Sequence, residues 1–562
     1  MSRRTGLGPT VVLAAVAVVA SACSSHSSPH ANRTTHARTT TPVPAFSVTP
    51  TRDVTVSPLF VSSGSARPRP GSRPPTHVEI RPTADHTLRV GFREHDVGGT
   101  GPQWEAAGRD AVAAATLMTG APLANREIDF DVTGPLNGLG VGALLTIAVI
   151  ALIRGDRLGT DVTMIGTINP DGAIGPAGGT PYAIADVLAA HERRVLIPQH
   201  DHDGLSPGAT NGVDVSEVPD LVAAYRQFTG TTLPQLPPSA NTRLDAVAST
   251  QIGSIVATWL ARYQASATDF QSLAPDLRQD LQSYANIAGR DHQQAETLAT
   301  QGSQAGAFQA AVSAAALMNA ITRTGQALPV LLAQGTLPFV SRVTAGASIN
   351  GQVRGLVAKL NTFTPQSVSD AGALISAYSN AIDALSLSSI ATGLFAAHVA
   401  NRQQAIDDAA EGAIYVNVAA TLVDAAGDML AAGRGLGGDT LGPRPDLGDI
   451  ATFFRLAAEA NLSAFQTVVV APYAYVARTN VSAARAAFAG TDLNYGLAQT
   501  GDTTISALPS YFGGPSTADY ARLGGALAMY DRTAELLATY NSFGRIAPNT
   551  LQLAGIANTA AF

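Results

Sequence analysis

The chain has 562 residues, a length suited to two or three domains, with 46% hydrophobic and 14% charged residues. That balance supports large apolar cores and excludes disorder for most of the chain. The formal net charge is −7, yet residues 1–75 carry eight arginines and one aspartate, so residues 76–562 must carry −14. An acidic body of this kind excludes nucleic acid as a partner, because phosphate contacts need clustered cations.

From the N-terminus, Arg3 and Arg4 precede an apolar run from Val11 to Ala20 and then small residues, the pattern of an export signal. Ala20-Ser21-Ala22-Cys23 resembles a bacterial lipobox, which predicts a signal over 1–23 and a membrane anchor through lipid on Cys23. The other reading is plain cleavage before Cys23, which would leave the only cysteine as a free thiol. Residues 24–75 are rich in Ser, Thr, Pro, Arg and His and are expected to be a disordered tether. Residues 76–231 alternate strand and helix signals. Strands are expected at 77–81, 87–92, 128–132, 162–168, 194–197 and 213–218, and helices at 103–118, 141–153, 182–191 and 221–228. Gly120 is a plausible helix stop. Strands separated by helices predict an α/β layered domain.

A Pro-rich linker, Leu233 to Pro238, introduces residues 232–562, which are Ala-rich and predicted to be all helical. Ile252, Ile255, Val256, Trp259, Leu260 and Tyr263 fall on one helical face, as do Leu523, Leu527, Tyr530, Ala534 and Leu537 near the end. Gly433 to Asp449 reads as a loop between two helical groups.

Within the α/β region, Gly138-Leu139-Gly140 leads into the apolar run Val141 to Ile153. Then come Asp161 to Gly179, with Asn169-Pro170-Asp171-Gly172, and Arg194 to Pro198. Together these stretches resemble the proteolytic domain of Lon-type serine peptidases, most of all the stand-alone archaeal Lon-like peptidases. The resemblance covers about 155 residues and implies a Lon-like α/β fold. It also implies a serine nucleophile in a G-P-S-A-G turn and a lysine base four residues after a Gly-Gly pair. The turn here is Gly138-Leu139-Gly140-Val141-Gly142, which puts Gly140 at the serine position; the alternative register from Gly134-Pro135 puts Leu136 there. Counting from Gly178-Gly179 puts Ala183 at the lysine position, and Met164-Ile165-Gly166 stands where the family commonly has Met-Thr-Gly. The α/β region has no serine between Ser72 and Ser206, and Lys359 is the chain's only lysine. A Ser/Lys dyad needs both members, one to attack and one to take the proton. The expectation is therefore a degenerate peptidase domain with no catalytic residue. The turns at Gly138, Gly140, Gly142, Gly178 and Gly179 remain as a possible peptide-lining groove.

No P-loop pattern is present, so neither ATP nor another cofactor is expected. His200-Asp201-His202-Asp203 has metal-ligand residue types but reads as a solvated loop, and no metal is expected. Glu94-His95-Asp96 reads as a polar strand end. Thr133 and Thr146 are the hydroxyls near the glycine turn, and either would need His95 or His191 as a base. The function expected is an exported, lipid-anchored envelope protein that binds a peptide or a protein partner. The alternatives are an ATP-independent Lon-like serine- or threonine-type endopeptidase with an unorthodox site, and a structural envelope protein acting through its helical part.

Overall fold

A computed structural model describes residues 51–59, 73–233, 246–344, 348–396, 402–434, 447–507 and 515–543, apart from short stretches at 84–87, 96–100, 122–124, 135, 137, 170–171, 176–179, 191–192, 200–209 and 211. α-Helix makes up 73% of it, with a small mixed sheet region in the N-terminal part.

The period-two alternation of the first segments is realised as strands. β1 (Arg52–Val56), β2 (Thr76–Pro82), β3 (Leu88–Glu94) and β4 (Arg126–Val132) form one sheet in the order β1-β2-β4-β3. β1–β2 and β2–β4 are antiparallel and β3–β4 is parallel. The parallel pair is joined by α1 (Pro102–Thr119), the crossover that such a pair requires. Val78, Ile80, Ile128, Phe130 and Val132 bury one face of the sheet. The other face is a charge ladder: Arg81 reaches Glu79 at 3.2 Å, Glu127 at 2.9 Å and Asp129 at 2.7 Å, and Arg93 reaches Asp129 at 3.0 Å. Gly91 lies opposite Asp129, where a Cβ would sit 2.1 Å from its Oδ1.

α1 stops at Gly120, whose left-handed backbone (φ 64°) lets its N–H reach the Thr116 carbonyl. After a 3-10 turn (Leu139–Val141) comes α2 (Gly142–Arg154), in which 142–152 are all buried. A helix apolar all round has to lie inside. Its end is closed by Gly155 (φ 78°) and by Arg52, which donates to the Leu152 carbonyl at 2.7 Å and the Ile153 carbonyl at 3.1 Å. Part of the expected tether is therefore folded. β1 lies inside 24–75, Leu59 is fully buried, and Arg73 donates to Ser57 and Thr163.

β5 (Val162–Met164), β8 (Arg194–Pro198) and β9 (Asp214–Val218) form a parallel sheet in the order β5-β8-β9, with α3 (Thr180–Ala189) between β5 and β8. β6 (Thr167–Ile168) and β7 (Ile174–Gly175) form a separate antiparallel hairpin, so the single strand expected at 162–168 is divided. α4 (Leu221–Thr229) is capped by Asp220, whose carboxylate accepts the Ala223 N–H at 2.8 Å, and ends at Gly230.

Every described element beyond 246 is helical: α5 (Ala246–Gln271), α6 (Pro275–Thr300), α7 (Gln304–Gln334), α8 (Thr336–Thr344), α9 (Ile349–Asn361), α10 (Val368–Ala396), α11 (Arg402–Gly433), α12 (Leu447–Phe465), a π-turn (Gln466–Val470), α13 (Ala471–Val476), α14 (Val481–Thr491), α15 (Leu493–Ala507) and α16 (Pro515–Phe543). α5 and α6 both pack along α7, and α10 packs along α11. α7 and α11 are long and apolar enough to cross a membrane, but 83% and 72% of their most apolar windows are buried as core.

The contacts divide the chain differently from the linear boundary expected at 231/232. Residues 51–233 group with 448–485 and 533–543, and residues 246–447 group with 486–532. In the first unit the buried Asn461 of α12 donates to Asp110 of α1 at 3.1 Å. Amphipathic spacing marks a helix but does not say which core its apolar face will meet.

Candidate functional site

The glycine turn sits where the charged sheet gives way to the buried helix. Gly138 is extended (φ −168°), Leu139–Val141 form the 3-10 turn, and Gly142 opens α2. The turn is sewn to the segment after β5: the Gly166 N–H donates to the Gly140 carbonyl at 2.8 Å, and the Ala143 N–H donates to the Gly166 carbonyl at 3.0 Å. A Cβ at Gly142 would meet Ile168 Cγ2 at 2.9 Å, so the helix start is packed tightly against β6.

The residue beside Gly166 makes the second connection. Ile165 belongs to an apolar cluster with Leu59, Ala183, Ile184, Val187, Val195, Ile197 and Val213. Gly140 is thus bonded to Gly166, and Ala183 shares the apolar cluster of Ile165. The three matched positions are closed: Gly140 is buried, Ile165 is 1% exposed and Ala183 has no exposure. Leu136, the alternative position, is also fully buried. A cavity of about 20 Å³ remains beside the turn, lined in part by Asp110, Leu139, Thr167, Asn169, Ala534 and Leu537. That volume holds about one water molecule.

Of the two hydroxyls near the turn, Thr146 is buried and donates to the Gly142 carbonyl at 2.8 Å. Thr133 is exposed at the end of β4. His95 Nε2 lies 2.7 Å from Asp131 Oδ1, and the His95 N–H donates to the Val132 carbonyl. Thr133 follows β4 directly, two residues beyond Asp131, so the three residues lie at the same end of the β3–β4 pair. Nearby, burial and the Glu105 carboxylate hold the Glu94 carboxyl above its usual range.

The helical part contains a cavity of about 490 Å³ between α5 and α6, lined among others by Tyr263, Phe270, Gln282, Asn286, Arg290 and Met318. Gly289, mid-helix in α6, also lines it, and a Cβ there would meet the Tyr263 hydroxyl only at 3.6 Å. Tyr263 stacks on the buried His292 at 4.2 Å, and His292 Nε2 lies 2.9 Å from Gln264 Nε2. Amide side chains bond donors and acceptors alike, so this lining selects no ligand class. Burial pushes the Asp291 carboxyl next to Arg290 up to about 6. The sequence offered only one signal for this cavity, the glycine inside a helix.

Cys23, Asp96, Gly178, Gly179, His191 and the run His200 to Asp203 lie outside the described residues. Among the described residues no group of three or more His, Cys, Asp or Glu is placed to hold a metal. Compared with known protein families and with curated proteins, the chain matches none.

Proposed function

We propose that this protein is an exported, lipid-anchored component of the cell envelope, in which a Lon-like peptidase domain has lost its chemistry and works by binding a partner. The observation that carries the reading is the state of the two matched positions. Gly140 and Ala183 border one buried segment, and neither supplies a nucleophile or a base. Removing either member of a nucleophile–base pair costs several orders of magnitude in rate, and here both are missing. Backbone N–H groups alone can polarise a carbonyl but cannot form an acyl-enzyme.

The volume beside the turn directs the reading further. Ligand clefts run to roughly 300–1,000 Å³, against about 20 Å³ here. Among the described residues the turn therefore offers no cleft for a peptide, and a partner protein is to be sought on the outer surface. The segment Ala20 to Cys23 supports acylation as the means of anchoring.

The test uses the full chain with a fluorophosphonate probe and a peptide library, with and without ATP. No labelling and no turnover are expected, and the protein should leave the membrane fraction on Cys23→Ala. A second reading is favoured by the exposed Thr133 close to the His95–Asp131 pair, which has the residue types of a threonine-type peptidase. Robust turnover abolished by both Thr133→Ala and His95→Ala would replace the first reading with the second.

A further inference from the structure

After α12 the chain passes through the π-turn and α13, breaks at 477–480 and continues as α14. The break is closed on both sides. Arg478 adopts the left-handed conformation (φ 52°). Its N–H bonds to the Tyr475 carbonyl at 3.3 Å, and the Thr479 N–H bonds to the Ala474 carbonyl at 3.0 Å. This pair of bonds closes a helix around a left-handed residue. On the other side Asn480 Oδ1 accepts the Ala483 N–H at 2.8 Å and caps α14.

The break presents apolar side chains to solvent. Tyr475 is 86% exposed and Val476 78%, with Tyr473 and Val481 beside them. Four of the ten exposed large hydrophobic residues among those described fall within positions 473–481, so this is a patch rather than scatter.

Charge selects what covers the patch. Residues 460–491 contain Arg478 and Arg485 and no Asp or Glu, although residues 76–562 as a whole carry −14. Arg485 lies one helical turn beyond Val481 on α14, on the same face. Among the described residues neither arginine has an ion-pair partner. Arg478 thus carries its charge at a left-handed position that glycine would occupy at lower backbone cost.

Tyrosine, valine and arginine exposed on one turn match the strata of a bilayer interface. Phenol rings sit at headgroup depth, aliphatic groups enter the acyl boundary, and guanidinium groups meet anionic headgroups. We propose that the 473–485 segment docks its unit onto an anionic lipid bilayer surface. The proposal requires neither acylation at Cys23 nor the loss of peptidase chemistry.

The test needs a local readout, and the structure provides for one, because the native indoles, Trp104 and Trp259, are buried. The full chain carrying Cys23→Ser and Tyr475→Trp is mixed with phosphatidylglycerol vesicles containing brominated lipid. The indole at 475 is expected to shift to the blue and be quenched, with little change in phosphatidylcholine vesicles. Arg478→Gln and Arg485→Gln should each weaken partition about fivefold, and Val476→Ser should weaken it further. All three positions are exposed, and unchanged circular dichroism confirms that the variants fold. Absence of quenching in anionic vesicles, equal quenching in neutral ones, or a blue shift that grows with protein concentration alone would each overturn the proposal, the last by pointing to a second copy of the chain.

Discussion

Ala183 has no accessible surface and packs among Leu59, Ile165, Val187 and Ile197. A lysine there would bring extra methylenes into a filled core, a change costing about 1–3 kcal/mol, and would bury an amine that must lose its charge. Placing a serine and a lysine at the two positions by Gly140→Ser with Ala183→Lys is therefore expected to destabilise the first unit by at least about 3 kcal/mol and to yield no peptidase. Urea unfolding and the serine probe read both parts, and a stable, probe-labelled double variant would refute the sealed site. Glu411 of α11 offers a test by pH. Burial pushes its carboxyl up to about 7, helped by Asp408 and Asp407 and opposed by the Tyr415 hydroxyl, which donates to it at 2.5 Å. A carboxyl whose pKa is raised by folding contributes stability that is present below about 4.5 and is lost as pH rises through about 7. Glu411→Gln removes that loss. The variant is expected to exceed wild type by on the order of 2 kcal/mol at pH 8, after allowance for partial exposure, and to match it near pH 4. A difference independent of pH would count against the buried carboxylate.

Among the elements, β1 is the one whose folding the composition concealed. Its five residues alternate, but they sit in a Ser-, Thr- and Pro-rich stretch that reads as solvated chain. What orders them is remote: antiparallel pairing with β2 and the Arg52 guanidinium on the last carbonyls of α2. Arg52→Ala is expected to cost about 1–3 kcal/mol, since charged hydrogen bonds are lost and two helix-end carbonyls are left without that partner. An unchanged unfolding midpoint would show that β1 is ornamental to the sheet. Elements governed by local rules were legible from the sequence. The glycine end of α1, the buried α2 and the strands from 76 to 132 follow from spacing and backbone freedom. The closure of the site was not legible, because Ala534 and Leu537 lie far along the chain and nothing in their spacing names Leu139 as a neighbour.

For the whole molecule, the first unit is assembled from three stretches of chain. Leu537, 4% exposed, contributes from the C-terminal helix to the surroundings of the glycine turn. Leu537→Ala is expected to cost about 2–4 kcal/mol and to speed hydrogen exchange at the amides of α2. Faster exchange confined to 515–543 would dissolve the three-stretch unit.

Discontinuity also orders events in time. During synthesis residues 51–233 emerge first, but Asn461, Ala534 and Leu537, which complete their packing, emerge much later. Contacts so distant in sequence form only after long loops close, which slows folding and prolongs the exposure of apolar surface. The segment made first is thus the last to be finished, and the nascent chain must be kept from its own kind until its final helix arrives.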